Sequence, residues 1–106
     1  MTTFSNAEDQ KLATLANATL KRSGAKQAAA LRDNTGRTYV AINISTPSLT
    51  LDACDSVFTV AMASGISGIE SVVVVGDKPN KAGALRDFSA SSTVFYGADN
   101  GDISTL

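Results

Sequence analysis

The run Ile69–Val75 ends in four consecutive valines and shows no polar–apolar alternation. A strand with one wetted face alternates, whereas a strand apolar on both faces has to be covered on both. The run therefore predicts a central strand with helices on either side of it. That implies an α/β chain in three layers, α/β/α, around a mixed sheet. At 106 residues the chain makes a single domain, 1–106, whose core needs no disulfide or metal staple.

The second constraint is Ser48–Gly65, SLTLDACDSVFTVAMASG, which reads as one long helix. At about 100° per residue, Asp52, Asp55, Ser56, Thr59 and Ala63 share a narrow stripe. Leu51, Cys54, Phe58, Ala61 and Met62, flanked by Ala53, Val57 and Val60, fill an arc of roughly 200°. An ordinary surface helix needs about half that width. The excess predicts cover on two sides, by the chain's own sheet and by another helix or a second subunit. The expectation is a homo-oligomer, dimer or tetramer, built through the 48–65 helix, with an unidentified protein partner as the alternative.

The remaining elements follow from local signals. Ser5 and Glu8 match a capping box. The helix it opens buries Leu12, Leu15, Ala16, Thr19 and Leu20, and Gly24 stands at its C′ position. Lys21 and Arg22 suit the negative end of that helix, an anion site being the alternative. Gln27–Arg32 and Arg37–Ser45 read as strands joined by the turn Asp33-Asn34-Thr35-Gly36. The second strand sets Tyr39, Ala41 and Asn43 on one face and Val40, Ile42 and Ile44 on the other, and Pro47 ends it. Ile69–Val75 is expected to pair in parallel with an earlier strand, through the long helix as a right-handed crossover. Lys81–Ala90 reads as a short helix weakened by Gly83, Thr93–Tyr96 as a strand, and Gly97–Gly101 as a turn into a short tail. The order is α-β-β-α-β-α-β.

Composition excludes several chemistries. Hydrophobic residues at 43% and charged residues at 18% describe a folded chain. A net charge of −1 provides no basic field for nucleic acid. No apolar run approaches the ~20 residues of a membrane span, and MTTFSNAEDQ has no apolar signal region. With one cysteine fitting a reducing compartment, the expected location is the cytoplasm. There is no histidine and only two glutamates, Glu8 and Glu70. Catalytic triads with an imidazole base, and zinc sites built from His and Cys, are closed to such a chain acting alone.

The element order and several short segments together resemble the cytidine deaminase family. Ala29-Ala30-Leu31 and Gly36-Arg37-Thr38-Tyr39 are similar to that family's first hairpin. Asn43 stands where the family has the Asn of its nucleoside-binding Asn-x-Glu segment. Leu49-Thr50-Leu51 and the helix through Ala61 to Gly65 resemble the segment carrying the first zinc ligand and the catalytic Glu. Pro79, with Leu85-Arg86-Asp87-Phe88 after it, resembles the Pro-Cys-x-x-Cys segment and its helix. The resemblance implies a deaminase-like fold with a nucleoside cleft, in a family whose members commonly assemble as oligomers.

The positions that carry the family's chemistry are substituted. Asp52-Ala53-Cys54 stands where the pattern has His or Cys, Ala, Glu. Asn80 follows Pro79 in the second motif, and Ser45 replaces the Glu of Asn-x-Glu. The expectation is therefore vestigial positions at Asp52, Cys54, Pro79 and Asn80, with no catalytic residue, no metal and no cofactor. Asp52 and Asn80 are good acceptors for helix-start amides and read as caps that took over the metal's structural part. A magnesium site of Asp52, Asp55 and Asp77 is the alternative. Cys54 reads as a small buried hydrophobe rather than a nucleophile, since no His can serve it as base. Asn43 and Ser45 are the candidate nucleoside contacts, although an Asn at a strand end also ties down its own loop. Arg86, an anion ligand on one reading, more simply faces solvent beside Asp87. Gly76-Asp77-Lys78-Pro79 lacks phosphate-loop spacing.

The chain is thus expected to be a cytidine deaminase-like protein without deaminase activity, acting as an oligomeric interaction module. The alternatives are a nucleoside or nucleotide binder that keeps the cleft, a hydrolase of the deaminase family by homology, and an enzyme of another mechanism using Asp52, Cys54 or Asp77.

Overall fold

Asn6 is extended, and its side-chain oxygen accepts from the Glu8 amide at 2.8 Å, so the first helix, α1 (Ala7–Ser23), starts there. The expected cap, Ser5, lies outside the residues that the computed structural model describes: 4, 6–78, 82–98 and 101–106. The helix ends where Gly24 turns left-handed (φ 68°), with Lys21 and Arg22 in its last turn. Leu12, Ala13, Ala16 and Thr19 face the sheet, while Leu15 and Leu20 are only partly covered.

A hairpin follows, β1 (Gln27–Asp33) and β2 (Thr38–Ile42), antiparallel with Ala28 opposite Ile42 and Arg32 opposite Thr38. The turn is held by Asp33, whose Oδ1 accepts from the Thr35 and Arg37 amides, 2.9 Å each, and from the Thr35 hydroxyl at 2.7 Å. The second strand was expected to run through Ser45, but it breaks at Asn43. Two-residue strands β3 (Ile44–Ser45) and β4 (Thr50–Leu51) then pair with each other as a separate ribbon.

The long helix is shorter than its apolar pattern suggests. Leu49, Thr50 and Leu51 precede it, Asp52 caps it, and α2 spans Ala53–Ala63. Its covered face is also narrower than the predicted arc. Ala53, Cys54, Val57 and Ala61 are buried, but Val60 is 42% and Met62 41% exposed. Ser56, placed on the polar stripe, is instead 3% exposed.

The valine run is β5 (Ile69–Gly76), in the middle of a five-stranded sheet ordered β2-β1-β5-β6-β7. Here β6 is Thr93–Gly97 and β7 is Ile103–Thr105. Val72, Val73 and Val74 have no exposed surface. The expected parallel pairing with an earlier strand is not found. β5 lies antiparallel to β1, Ala30 opposite Val73, and its parallel neighbour is the later strand β6. The crossover through α2 does start from β2, which runs the same way as β5, but β1 sits between them. The short helix α3 (Gly83–Phe88) connects β5 to β6, and β7 adds an antiparallel edge that the short-tail reading missed.

Strand parity divides the core. Ala28, Ala30, Val73 and Val75 pack with Leu12, Ala13 and Ala16 of α1. Ala29, Leu31, Val72, Val74 and Val94 pack with Ala53, Cys54, Val57 and Ala61 of α2 and with Leu85 of α3. Phe58 and Phe88 meet edge-on at 5.8 Å, joining the two helices of that layer. The result is an α/β/α arrangement on a mixed sheet.

Candidate functional site

The start of β1, the end of β2, the end of β5 and the first turn of α2 converge at one edge of the molecule. Gln27 joins all four. It is 5% exposed, and each polar group of its side chain is engaged. Gln27 Oε1 accepts from the Ala53 amide at 2.6 Å, and Gln27 Nε2 donates to the Asp77 carbonyl at 2.7 Å. Its backbone amide donates to Asn43 Oδ1 at 3.0 Å, and its carbonyl accepts from the Asn43 amide at 3.2 Å. Asn43 thus lends its side-chain oxygen to the ladder where a backbone carbonyl would stand. That substitution lets the chain leave β2 after Ile42 without orphaning the Gln27 amide.

Asp52 completes the start of α2, its Oδ1 accepting from the Asp55 amide at 2.8 Å. Two of the amides that a helix start leaves free are therefore held by side chains, Ala53 by Gln27 and Asp55 by Asp52. Close by, Gly76 (φ 91°) brings β5 against the start of β1. A Cβ there would stand 2.3 Å from the Lys26 carbonyl oxygen, so only glycine fits. The same approach lets the Asp77 amide donate to Lys26 C=O at 2.9 Å.

These elements enclose a cleft of about 660 Å³. Lys26, Gln27, Asn43, Ser45, Asp52, Asp77 and Lys78 are among the residues that line it. Asn43, Ser45 and Asp52 are thus brought together along one cleft. Cys54 is not among the lining residues. It is 1% exposed and packs in the cluster with Val57 and Val74. Burial pushes its thiol up to about 12, helped by the nearby charges of Asp52 and Asp55 and opposed by Arg86. At neutral pH it is a neutral thiol and no nucleophile. Arg86 is exposed, and its guanidinium donates to the Leu106 carbonyl. Pro79 and Asn80 lie outside the described residues.

The residues present do not suit the zinc that the resemblance implies. The chain has no histidine, its one thiol faces the core, and Asp52 is committed to its helix. Among the described residues no three His, Cys, Asp or Glu side chains gather as a metal-binding group, so Asp52, Asp55 and Asp77 do not form one. Among the described residues no helix is long and apolar enough to cross a membrane.

Sequence reasoning missed Gln27 and Lys26. The only signal for Gln27 was a lone amide opening a strand of small apolar residues, and its partners stand 16, 26 and 50 positions away.

Residues 5–101 match the family described as cytidine deaminase-like. No curated protein is detectably similar in sequence. Among solved structures, the cytidine deaminase from Burkholderia pseudomallei superposes with a TM-score of 0.76 at 22% identity, over 92% of this chain and 90% of that one. The cytidine deaminase from Mycobacterium leprae gives 0.68 at 18% identity, over 91% of each chain. The cytidine deaminase from Bacillus anthracis gives 0.68 at 15%, over 95% of this chain and 83% of that one. Identities at this level establish the fold.

Proposed function

This chain belongs to the cytidine deaminase-like family, and we propose that it is a non-deaminating member whose cleft binds a nucleoside-type ligand. One observation carries the reading: side chains close the helix start that faces the cleft, while the cleft itself is open. Gln27 and Asp52 hold the Ala53 and Asp55 amides. The volume beside them, about 660 Å³, lies within the range of small-molecule sites, roughly 300–1,000 Å³. Deamination of a cytosine ring needs an activated water and a carboxylate to carry its proton. By the resemblance read from the sequence Cys54 takes the place of that carboxylate, and it is a buried neutral thiol. Binding without turnover is what the remaining groups can do.

The test has two arms. Purified protein is expected to carry no stoichiometric zinc and to leave cytidine and deoxycytidine unchanged over hours. About one zinc per chain together with uridine formation overturns the inactive assignment. In the second arm, a thermal-shift panel of nucleosides and nucleotides is expected to raise Tm for at least one compound. No shift for any of them removes the binding assignment.

A second reading is favoured by the exposed side chains of α2. Val60 and Met62 leave apolar surface on the helix expected to carry subunit contacts. On this reading the protein is a dimer or tetramer through α2, and light scattering at micromolar concentration checks it. A monomer at that concentration discards it.

A further inference from the structure

Building on the reading that the cleft takes a nucleoside-type ligand, we infer that this ligand carries a phosphate, as a 5′-ribonucleotide does, rather than being a neutral nucleoside. Lys26 and Lys78 both line the cleft. Lys26 precedes β1 and Lys78 follows β5, and the two segments are tied by the Asp77 amide, which donates to the Lys26 carbonyl at 2.9 Å. Both are exposed, and among the described residues neither enters an ion pair, whereas Lys11 and Arg32 do. A neutral nucleoside offers these two unpaired cations no group of opposite charge. A phosphomonoester dianion accepts from both.

The other lining groups match the rest of such a molecule. The Gln27 side chain is engaged with the Ala53 amide and the Asp77 carbonyl, and Asn43 Oδ1 accepts from the Gln27 amide. What Asn43 offers a ligand is therefore its NH₂, a donor. Asp77, and Asp52 through the carboxylate oxygen that does not accept from the Asp55 amide, line the same cleft and are acceptors suited to ribose hydroxyls. The cleft thus offers cations for a phosphate together with acceptors for a diol.

Isothermal titration at low salt compares cytidine, CMP, ribose 5-phosphate and inorganic phosphate. CMP is expected to bind at least about tenfold more tightly than cytidine, the scale of one added charge-assisted contact. That ratio should fall several-fold in 0.5 M KCl, because exposed ion pairs are screened. In the double variant Lys26→Ala, Lys78→Ala the CMP-to-cytidine ratio should collapse toward one, while Lys26→Arg, Lys78→Arg keeps it. Far-UV circular dichroism confirms that both variants fold. Equal affinity for cytidine and CMP, or a ratio unchanged in the double alanine variant, overturns the phosphate inference and leaves the cleft reading standing. Binding of inorganic phosphate as tight as CMP also overturns it, since the site would then be an anion site only. No binding by cytidine, CMP or ribose 5-phosphate overturns both readings.

Discussion

Gln27 and Asp52 act on the same helix start, and they differ in how much each is committed. Asp52 is partly exposed and holds one amide, Asp55. Asp52→Ala is expected to cost about 1 kcal/mol in urea denaturation, the ordinary loss of an N-terminal cap. Asp52→Asn or Asp52→Ser should recover most of that, less ~0.5 kcal/mol for the lost charge at the positive helix end. EDTA should leave the wild-type Tm unchanged. If all three variants match wild type, Asp52 is a solvated residue and the cap is without consequence. Gln27 is buried and satisfies both a donor and an acceptor, so Gln27→Ala leaves the Ala53 amide and the Asp77 carbonyl unpaired. Each stranded group costs on the order of 1–3 kcal/mol, so this variant should lose clearly more than Asp52→Ala. Cys54 belongs to the same turn and follows from the same packing. With its thiol pushed up to about 12 by burial and the flanking carboxylates, iodoacetamide at pH 7.5 should label it only after unfolding. Labelling of the folded protein within minutes would restore the nucleophile reading.

At the scale of elements, the hairpin turn gives a pH-dependent prediction. Burial raises the Asp33 carboxyl, but bonds from the Thr35 hydroxyl and the Arg37 and Thr35 amides, with the Arg37 charge, outweigh it and hold it below the ordinary value of 3.8. A carboxylate depressed in the fold contributes stability that is complete above the unfolded value. That contribution is lost as pH falls through the lower folded one. The stability gap between wild type and Asp33→Asn should therefore be constant from pH 7 to about 5 and close below about 4. A gap that does not change down to pH 2 would show that the charge contributes nothing to the turn. The turn could be read in the sequence because Asp-Asn-Thr-Gly carries its own chemistry. The central strand could be read because four valines leave it no wet face. Other elements left no such trace. β3, β4 and β7 are two or three residues long, too short for a period of two to show. The Leu49–Leu51 segment continues the apolar pattern of α2, and only the cap at Asp52 reveals where the helix begins. Pairing of β5 with β1 was hidden for a different reason: nothing local says that a hairpin's first strand will lie between its second and the next. The site divides in the same way. Asn43, Ser45 and Asp52 carried signals of their own, whereas Gln27 functions only through partners distant in sequence.

At the scale of the whole molecule, the question is what fixes α1 on its face of the sheet. The contact there is apolar, Leu12, Ala13 and Ala16 against Ala28, Ala30, Val73 and Val75, and apolar burial is non-directional. Arg32 supplies a specific tie. It is 5% exposed, and its guanidinium reaches Asp9 of α1 at 2.9 Å and Glu70 of β5 at 2.7 Å. Burial works against its charge, but the bonds to Glu70 and Asp9 prevail and raise its pKa above the ordinary value. The two carboxylates are not equivalent, since the Glu70 side chain is 54% exposed and that of Asp9 only 12%. Water can take over for Glu70, so Glu70→Gln should cost less than about 1 kcal/mol. Arg32→Ala strands the Asp9 charge under the helix and should cost about 3 kcal/mol. Replacing the buried partners together avoids that penalty: Asp9→Leu with Arg32→Met should be more stable than Arg32→Met alone. Chemical denaturation of these variants as a double-mutant cycle measures the coupling. Hydrogen exchange adds a spatial readout, because loss of the tie should speed exchange in the N-terminal half of α1 before it affects β5. If Arg32→Ala costs no more than Glu70→Gln, or if the double variant simply adds its two single losses, the apolar contact alone holds α1 and the ion pair is incidental.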